Sequence, residues 1–154
     1  VLRAHELYCQ SDGRDGAVAR APEVDFRPLR SLKGRRLTGL VAPGAVLFGM
    51  NLEGVQLQGA DLSGCDLRGA NLRGADLRGA RLIDAQLTRA NLREARLGPL
   101  DIGDGRMVRT DLSRATMRQA DLTGAHAQRA RFIEADMTGA VVRGCDLRGA
   151  ELEA

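Results

Sequence analysis

The chain contains no tryptophan, and aromatic side chains make up only 3% of its 154 residues. A core built around large rings is therefore excluded. The longest apolar stretch, Leu40 to Phe48, is interrupted by Pro43 and Gly44, and it is far shorter than the roughly 20 residues that cross a bilayer. Residues 1–10 carry charged side chains where a signal peptide needs a continuous apolar segment. From these features we expect no membrane partner and no export signal.

Residue types that carry chemistry are also scarce, because the sequence has only two histidines and three cysteines. Neither histidine stands at a metal-ligand spacing such as HExxH, and His126 is predicted to point outward into solvent. Phosphate-binding glycine loops and nucleophile-elbow motifs are absent as well. We therefore expect a non-enzymatic protein with no catalytic residue, no metal and no cofactor. The odd number of cysteines and the missing export signal favour a reducing compartment, so a cytoplasmic location is predicted.

What the sequence has instead is a five-residue repeat over residues 45–154, in the register Ala-Asp-Leu-Ser-Gly of residues 60–64. Leucine fills most central positions, and alanine or cysteine usually stands two residues earlier. A period of five matches neither the 3.6 of a helix nor the 2 of a long strand, and frequent glycine opposes a helix. The pattern predicts a chain that runs straight for two or three residues and then turns. Four such sides would close a square coil with leucine and alanine inside.

The motif A(D/N)LxG, present for example at residues 60–64 and 70–74, resembles the pentapeptide-repeat family. The resemblance extends over residues 45–154, and Leu32 and Leu37 keep its register further upstream. It implies an all-β fold, a right-handed quadrilateral β-helix (a pentapeptide-repeat solenoid) with four units in each coil. Large leucines that alternate with small alanines suit the narrow interior of such a coil.

Residues 1–31 are predicted to precede the repeats as a short helical cap and lead-in. The first ten residues have the apolar spacing of an amphipathic helix, and a turn-forming cluster rich in glycine follows them. The repeat β-helix is assigned to residues 32–154 and is regular from residue 45. Phe26 resembles the centre of one more unit but is one residue out of step, so we expect a single-residue irregularity near Pro28.

One segment of the repeat departs from the consensus. Leu100 stands where alanine is expected, and Gly105 replaces the next alanine. Pro99, just before them, cannot donate a backbone hydrogen bond. We expect an outward bulge between Gly98 and Gly105 in a repeat that otherwise continues without insertion.

A second departure is Ala127, the one alanine at a central position of the regular repeat. An uninterrupted count stacks it between Met107 and Leu147. The missing leucine volume would leave a cavity there. Phe132, the next centre along the chain, is predicted to fill this space with help from the flexible Met107.

Two of the three cysteines occupy the small inward position of their units. By the same uninterrupted count Cys65 and Cys145 lie four coils apart on one face, which is too far for a disulfide. We interpret both as buried substitutes for alanine.

Basic residues provide the remaining clue to a partner. Over residues 45–154 arginines balance the acidic residues, so the formal net charge of +3 comes from the N-terminal part. The densest basic run consists of Arg27, Arg30, Lys33, Arg35 and Arg36. On an uninterrupted coil the most positive face adds the candidate partner-binding residues Arg89, Arg106, Arg109 and Arg129. The run lacks interleaved aromatic residues for base stacking, so a nucleic-acid partner is not favoured.

These observations support two hypotheses about function. The first is a structural or protein-interaction module, a rigid rod that displays flat side-chain faces to an unidentified protein partner. The second comes from the resemblance, since some pentapeptide-repeat proteins resemble duplex DNA in size, shape and negative charge. Those members bind type II topoisomerases such as gyrase and protect them from quinolones or peptide toxins. This sequence departs from that pattern because it lacks strong net acidity, loop insertions between coils and a C-terminal dimerisation helix.

The repeat continues in register to Ala154, which predicts an open end that exposes Leu147 and Leu152. Unpaired backbone groups at such an end invite pairing with another chain. We expect a weak homodimer through this end. A natural chain that continues past Ala154, or charge from Glu151 and Glu153 that keeps the edge soluble, would be the alternatives.

Overall fold

Parallel bridges between residues 20 positions apart organise most of the chain in the computed structural model, which describes residues 1–153. Successive bridges along the chain are usually five residues apart, so four of them complete one coil of a solenoid. The four rows of bridges define four sides. We number them by their bridging residues: side I, Arg20, Val41, Asp61, Arg81, Asp111, Arg131 and Glu151; side II, Asp25, Val46, Asp66, Gln86, Thr116 and Asp136; side III, Ser31, Asn51, Asn71, Asn91, Asp121 and Val141; side IV, Arg36, Gln56, Asp76, Arg96, His126 and Asp146.

Regular secondary structure is sparse because each side is bridged through single residues. The elements are the helix α1 (Leu2–Gln10), a 3₁₀ helix (Arg27–Leu29) and the strands β1 (Leu100–Asp101) and β2 (Met107–Val108). None of the helices in residues 1–153 is both long and apolar enough to cross a membrane.

One unit, residues 60–64, illustrates why the period is five. The Leu62 N–H donates to the carbonyl of Arg81 in the next coil at 2.8 Å, and the Cys65 N–H closes a turn on the Leu62 carbonyl at 3.1 Å. Gly64, third in that turn, has a φ of +67°. Such a left-handed residue is required at the third position of a type II turn, and glycine adopts it at little cost. The fifth place therefore requires a left-handed residue. It is usually glycine, but Asp84, Arg89 and Glu94 adopt the same conformation at their corners.

The interior is filled by the two apolar positions of each unit. Leu62 and Leu67 from the central positions and Ala60 and Cys65 from the small positions have no exposed surface. Large side chains of one ring thus pack against small ones of the other, which is how a narrow coil reaches normal packing density.

The N-terminal helix α1 covers the first coil. The Ala17 N–H donates to the Ala4 carbonyl at 3.1 Å, and the Ala19 N–H donates to Nδ1 of the buried His5 at 2.8 Å. The rows of bridges begin at Arg20, so coiling starts ahead of residue 32, where the sequence analysis placed the boundary. The physical reason is that Ala19, Ala21 and Phe26 are buried, as the inward residues of the later coils are.

The corner between Asp25 and Ser31 is wider than a regular corner. Asp25 and Ser31 bridge six residues apart rather than five, and the 3₁₀ helix Arg27–Leu29 takes up the extra residue. Pro28 suits this helix because its fixed φ is compatible with the first helical positions. The single-residue irregularity predicted near Pro28 is present at this corner.

Residues 100–109 leave the solenoid as a hairpin. The bridge spacing rises from 20 to 30 residues at Arg81 and Asp111, and β1 pairs antiparallel with β2. Residues 101–109 are all exposed. The predicted bulge is therefore a complete insertion between coils. The expectations of an uninterrupted repeat and of no loop insertion are wrong, because ten residues equal two units and preserve the sequence register.

The insertion moves every later unit by two sides of the square. Cys65 belongs to a side II unit and Cys145 to a side IV unit, so the two cysteines lie on opposite sides and not on one face as expected. Ala127 falls in line with Leu97 and Leu147 on side IV. Met107, which was predicted to stack above Ala127, is exposed in the hairpin.

Thr110 closes the solenoid where the hairpin returns. The Gly79 N–H donates to Thr110 Oγ1 at 2.9 Å, and this hydroxyl lies 3.0 Å from the Gly98 carbonyl, to which it can donate. In the coil before it, the Gly59 N–H donates instead to a backbone carbonyl, that of Arg78. The fully buried threonine side chain thus replaces a missing backbone acceptor.

Thr110→Val should lower the free energy of unfolding by about 1–3 kcal/mol, because it leaves the buried Gly79 N–H without an acceptor. Thr110→Ser keeps the hydroxyl and is the matched control. Urea denaturation followed by circular dichroism measures both. A valine variant as stable as the unchanged chain would show that the hydrogen bond to Gly79 contributes no stability.

Candidate partner-binding surfaces

The predicted basic run does not form one patch. Three of its members are held by carboxylates: Arg27 by Asp25 at 2.8 Å, Lys33 by Glu53 at 3.8 Å, and Arg35 by Glu6. Arg30 and Arg36 are exposed, but they belong to units on sides III and IV. The run winds around the first coil, so its charges are distributed over three sides.

The second predicted group is also separated. Arg89 lies in a side II unit and donates to Gln119 at 2.8 Å, whereas Arg129 lies in a side IV unit. Arg106 and Arg109 are exposed in the hairpin, where Arg109 forms an ion pair with Glu151. The expected positive face is wrong, because the hairpin insertion divides the residues that an uninterrupted count had aligned.

Outward aspartates form two-point ion pairs with arginines two residues later. Arg68 Nε lies 2.8 Å from Asp66 Oδ1, and a terminal guanidinium nitrogen lies 2.7 Å from Oδ2. A sum of the acidic and basic residues on each face does not reveal these pairs, because it does not match individual residues. The sequence signal for these ion pairs is Asp-Leu-Arg, because residues i and i+2 of an extended segment project from the same surface.

These pairs alter the acidity of the carboxylates. The hydrogen bond from Arg27 lowers the pKa of Asp25 to about 2, and the hydrogen bond from Arg68 likewise lowers the pKa of Asp66. Protonation at low pH would remove the charge that each arginine fork binds.

We expect the solenoid to lose stability in acid. A carboxyl whose pKa is lowered by folding contributes stability above its unfolded pKa, about 3.9 for aspartate, and this contribution is lost as the pH falls towards the folded value. The thermal midpoint should therefore be steady near pH 5 and fall between about pH 4 and pH 2. Asp66→Asn should reduce the slope in that window. A midpoint that is constant down to pH 2 would contradict the expectation.

A polar cleft lies where the hairpin leaves side IV. This seam cleft has a volume of about 340 Å³, and its lining consists of Arg78, Arg96, Gly98, Pro99, His126 and Gln128. Its position could not be found from the sequence, because Arg96 and His126 become neighbours through the 30-residue step in the bridges. His126 is exposed, as predicted.

Asp76 organises the cationic wall of the seam cleft. It is only 8% exposed, and it accepts hydrogen bonds from Arg78 Nε at 2.9 Å, from Arg96 at 3.3 Å and from Gln58 at 2.9 Å. Burial raises the pKa of Asp76, but the hydrogen bonds from Arg78 and the charges of both arginines outweigh it, so the net pKa is lowered. Asp76 therefore remains ionised and fixes two guanidinium groups.

The hairpin is the main projection from the sides. Ile102 and Met107 are each 47% exposed, and Val108 is also exposed. At its base Leu100 lies against Gly79 and Gly59 of the adjoining corner. The hairpin thus presents three exposed apolar side chains next to sides that carry several arginine–aspartate pairs.

The last coil exposes part of its interior. Leu152 is 54% exposed, Val142 is also exposed, and Leu147 is half-buried. Val141, at an outward position, adds further exposed apolar surface. In earlier coils the central leucines have almost no exposed surface. This end is therefore the main exposed continuation of the core.

The cysteines offer little reactivity. Cys9, Cys65 and Cys145 are free thiols, and burial raises the pKa of Cys65 to about 12. Within residues 1–153 no group of three or more histidine, cysteine, aspartate or glutamate side chains is placed to hold a metal ion.

Comparison with solved structures finds other repeat proteins. A trypsin-treated form of QnrB1, a plasmid-mediated fluoroquinolone resistance protein, is 19% identical with a TM-score of 0.44, over 87% of this chain and 74% of that one. HetL, a pentapeptide repeat protein involved in heterocyst differentiation regulation from the cyanobacterium Nostoc sp. strain PCC 7120, is 27% identical with a TM-score of 0.36, over 78% and 71%. A pentapeptide repeat protein of the Arabidopsis thaliana thylakoid lumen is 28% identical with a TM-score of 0.33, over 68% of each chain.

Sequence comparison identifies the family directly. No curated protein sequence matches the chain. The family profile described as pentapeptide repeats (8 copies) matches residues 32–69, 60–98 and 110–149. The gap between the last two matches coincides with the hairpin, and the matched residues cover well over half of the sequence. The chain belongs to the pentapeptide repeat family.

Proposed function

We propose that this protein is a non-enzymatic interaction module, a rigid rod that binds a protein partner through its hairpin and the flat sides next to it. The observation that carries the proposal is the exposed apolar surface of Ile102, Met107 and Val108 on a hairpin that projects from the sides of the rod. Protein interfaces gather apolar side chains and arginines in a central patch with a polar rim. Ile102, Met107 and Arg106 supply such a combination on a two-stranded support.

The solenoid suits the role of a rigid support. In the unit of residues 60–64, the Cys65 N–H closes the corner on the Leu62 carbonyl. The side is held to the preceding coil by the Asp61 N–H on the Leu40 carbonyl and to the following coil by the Leu62 N–H on the Arg81 carbonyl. A filled interior leaves little conformational freedom, so partner binding would not require the rod to reorganise. A cytoplasmic location and a right-handed winding are part of the same proposal. Parallel connections within one sheet are almost always right-handed.

The test removes the hairpin without disturbing the repeat. Deleting residues 100–109 joins Pro99 to Thr110 in register, and Pro99→Gly supplies the left-handed corner that proline cannot adopt. The deletion variant should keep the circular dichroism spectrum of the rod and lose partners that cross-linking recovers with the full chain. A control with Ile102→Val, which keeps an apolar surface, should retain them. Identical partner sets from the full chain and the deletion variant would overturn the proposal.

Topoisomerase binding is the second candidate, and one observation favours it. The expected lack of loop insertions argued against topoisomerase binding, whereas the hairpin is such an insertion. The charge still opposes DNA mimicry, because the net charge is +3 and arginines pair with carboxylates along the sides. Purified gyrase separates the candidates. Inhibition of DNA supercoiling that disappears in the deletion variant would establish the second candidate, and unchanged supercoiling at micromolar protein would exclude it.

We also propose weak self-association through the last coil. The support is the exposed apolar surface at Val141, Val142 and Leu152 beside half-buried Leu147. Sedimentation velocity at several concentrations should show a monomer–dimer equilibrium that Leu152→Lys shifts towards monomer, whereas Leu7→Lys, at an exposed position of α1, should not. A monomer at every concentration would exclude the dimer.

A further inference from the structure

We propose that the seam cleft is a binding site for an oxyanion, a phosphate or carboxylate group carried by a small ligand. This site is distinct from the hairpin surface of the proposed function. The two can be tested separately, because the cleft is lined mainly by residues of the solenoid.

The cleft exists because Gly98 has no side chain in a stack of equivalent positions along side IV. The residues that follow each centre on side IV include Gln58, Arg78, Gln128 and Arg148, and Gly98 stands among them without a side chain. Pro99 begins the departure of the hairpin and forms one wall. Gly98 is buried, so the gap is a recess in the side rather than a flat area. Its volume of about 340 Å³ exceeds that of a single water molecule several-fold.

The walls of the cleft supply hydrogen-bond donors in fixed positions. Arg78 is held on Asp76 through two guanidinium nitrogens, at 2.9 and 2.7 Å. The guanidinium of Arg96 makes a single 3.3 Å hydrogen bond to the same carboxylate among the described residues. Its remaining N–H groups are therefore available to a ligand. His126 adds an imidazole to the lining. Gln128 donates its amide nitrogen to Asp146 at 2.7 Å and places its carbonyl oxygen next to Gly98, so it contributes an acceptor and the arginines remain the main donors.

The charge balance of the cleft favours an anion. The single negative charge of Asp76 faces two arginines. The next carboxylate on this side, Asp146, is already paired with Arg148 at 2.6 Å. One positive charge is thus left over beside the recess. Guanidinium groups bind carboxylate and phosphate oxygens through paired N–H donors, and a buried carboxylate that fixes them lowers the entropic cost of binding.

The experiment titrates the full chain with inorganic phosphate at constant ionic strength, using sodium chloride to compensate, and follows amide and arginine Nε–H signals by NMR. Saturable shifts are expected at Arg96, Gly98 and His126. A parallel titration with acetate distinguishes the two ligand chemistries: the tighter probe identifies the group that the site prefers. Shifts that grow linearly with either salt, or that spread evenly over the arginines of all four sides, would overturn the proposal.

Two arginine variants test whether phosphate binds at the cleft. Arg96→Gln should weaken phosphate binding about tenfold, the size expected for one charge-assisted hydrogen bond. Arg73→Gln is the matched control, since Arg73 is 51% exposed against 52% for Arg96 and also makes one 3.3 Å ion pair, on side III. Equal loss in both variants would show general charge attraction and contradict a site.

Gly98→Gln tests the recess without changing charge. Gly98 has no positive φ, and a Cβ there would approach only the flexible end of Gln128, at 3.2 Å. The new side chain resembles Gln58 and Gln128 in the same column, so the variant should fold and block the recess. Phosphate shifts that persist unchanged in Gly98→Gln would show that the anion binds outside the cleft.

Discussion

Phe132→Ala is expected to lower the free energy of unfolding by about 3–5 kcal/mol, the usual cost of truncating a buried phenylalanine. Phe132 is the largest fully buried side chain and is 2% exposed. It lies in a side I unit, one corner after Ala127, which has no exposed surface. Since Ala127 replaces a central leucine, a compensating larger side chain in the same coil preserves the packing density.

A double-mutant cycle tests this exchange of volume between Ala127 and Phe132. Ala127→Leu alone should overpack the coil and cost about 1–3 kcal/mol, and Phe132→Leu alone should leave a void. The double variant restores two central leucines and should be more stable than the sum of the single changes allows. Urea denaturation measures all four proteins. Additive effects would show that Phe132 does not occupy the space left at Ala127.

The regular part of the fold could be predicted because its rules are local. The corner at Gly64 requires a left-handed residue, and the alternation of Leu62 with Ala60 and Cys65 follows from the narrow interior. Each unit repeats the same requirement, so one unit predicts the next. Short-range constraints of this kind are visible in a single sequence.

The hairpin could not be predicted by counting, because ten residues preserve a period of five. Two physical signals were present in the sequence. Pro99 occupies the corner position that Gly59 and Gly79 adopt with positive φ, and proline cannot take that conformation. Leu100 is too large for the small inward position. These signals predicted a bulge, but the amount of chain that leaves the coil depends on where bridging resumes, at Asp111.

The seam cleft and the distribution of arginines follow from that same step. Arg96 and Arg129 lie in adjoining units of side IV, whereas Arg89 lies on side II. A position on a solenoid side is set by the total number of residues before it. One undetected insertion therefore assigns every later surface residue to the wrong side. The alternation of inward and outward positions after Thr110 stays correct, whereas Ile102 and Met107 leave the core.

Gly79→Ala should release the base of the hairpin. Gly79 has a φ of +71°, and a Cβ there would lie 2.7 Å from the Cβ of Leu100. The matched control is Gly69→Ala, at φ +65° with no neighbouring atom within 4 Å of the added Cβ. The control should cost about 1–2 kcal/mol for the left-handed conformation. Gly79→Ala should cost about 1–3 kcal/mol more because it also overpacks the contact with Leu100.

A second change and a protease distinguish the contact from general damage. Leu100→Gly removes the clashing Cβ, so it should bring the Gly79→Ala variant back towards the stability of Gly69→Ala. Limited trypsin digestion should cleave after Arg106 and Arg109 faster in Gly79→Ala than in the control, since a base that no longer packs opens more often. If both glycine variants unfold at the same urea concentration and are cleaved at the same rate, Leu100 does not anchor the hairpin. The hairpin would then be held by Thr110 and the short β1–β2 ladder alone.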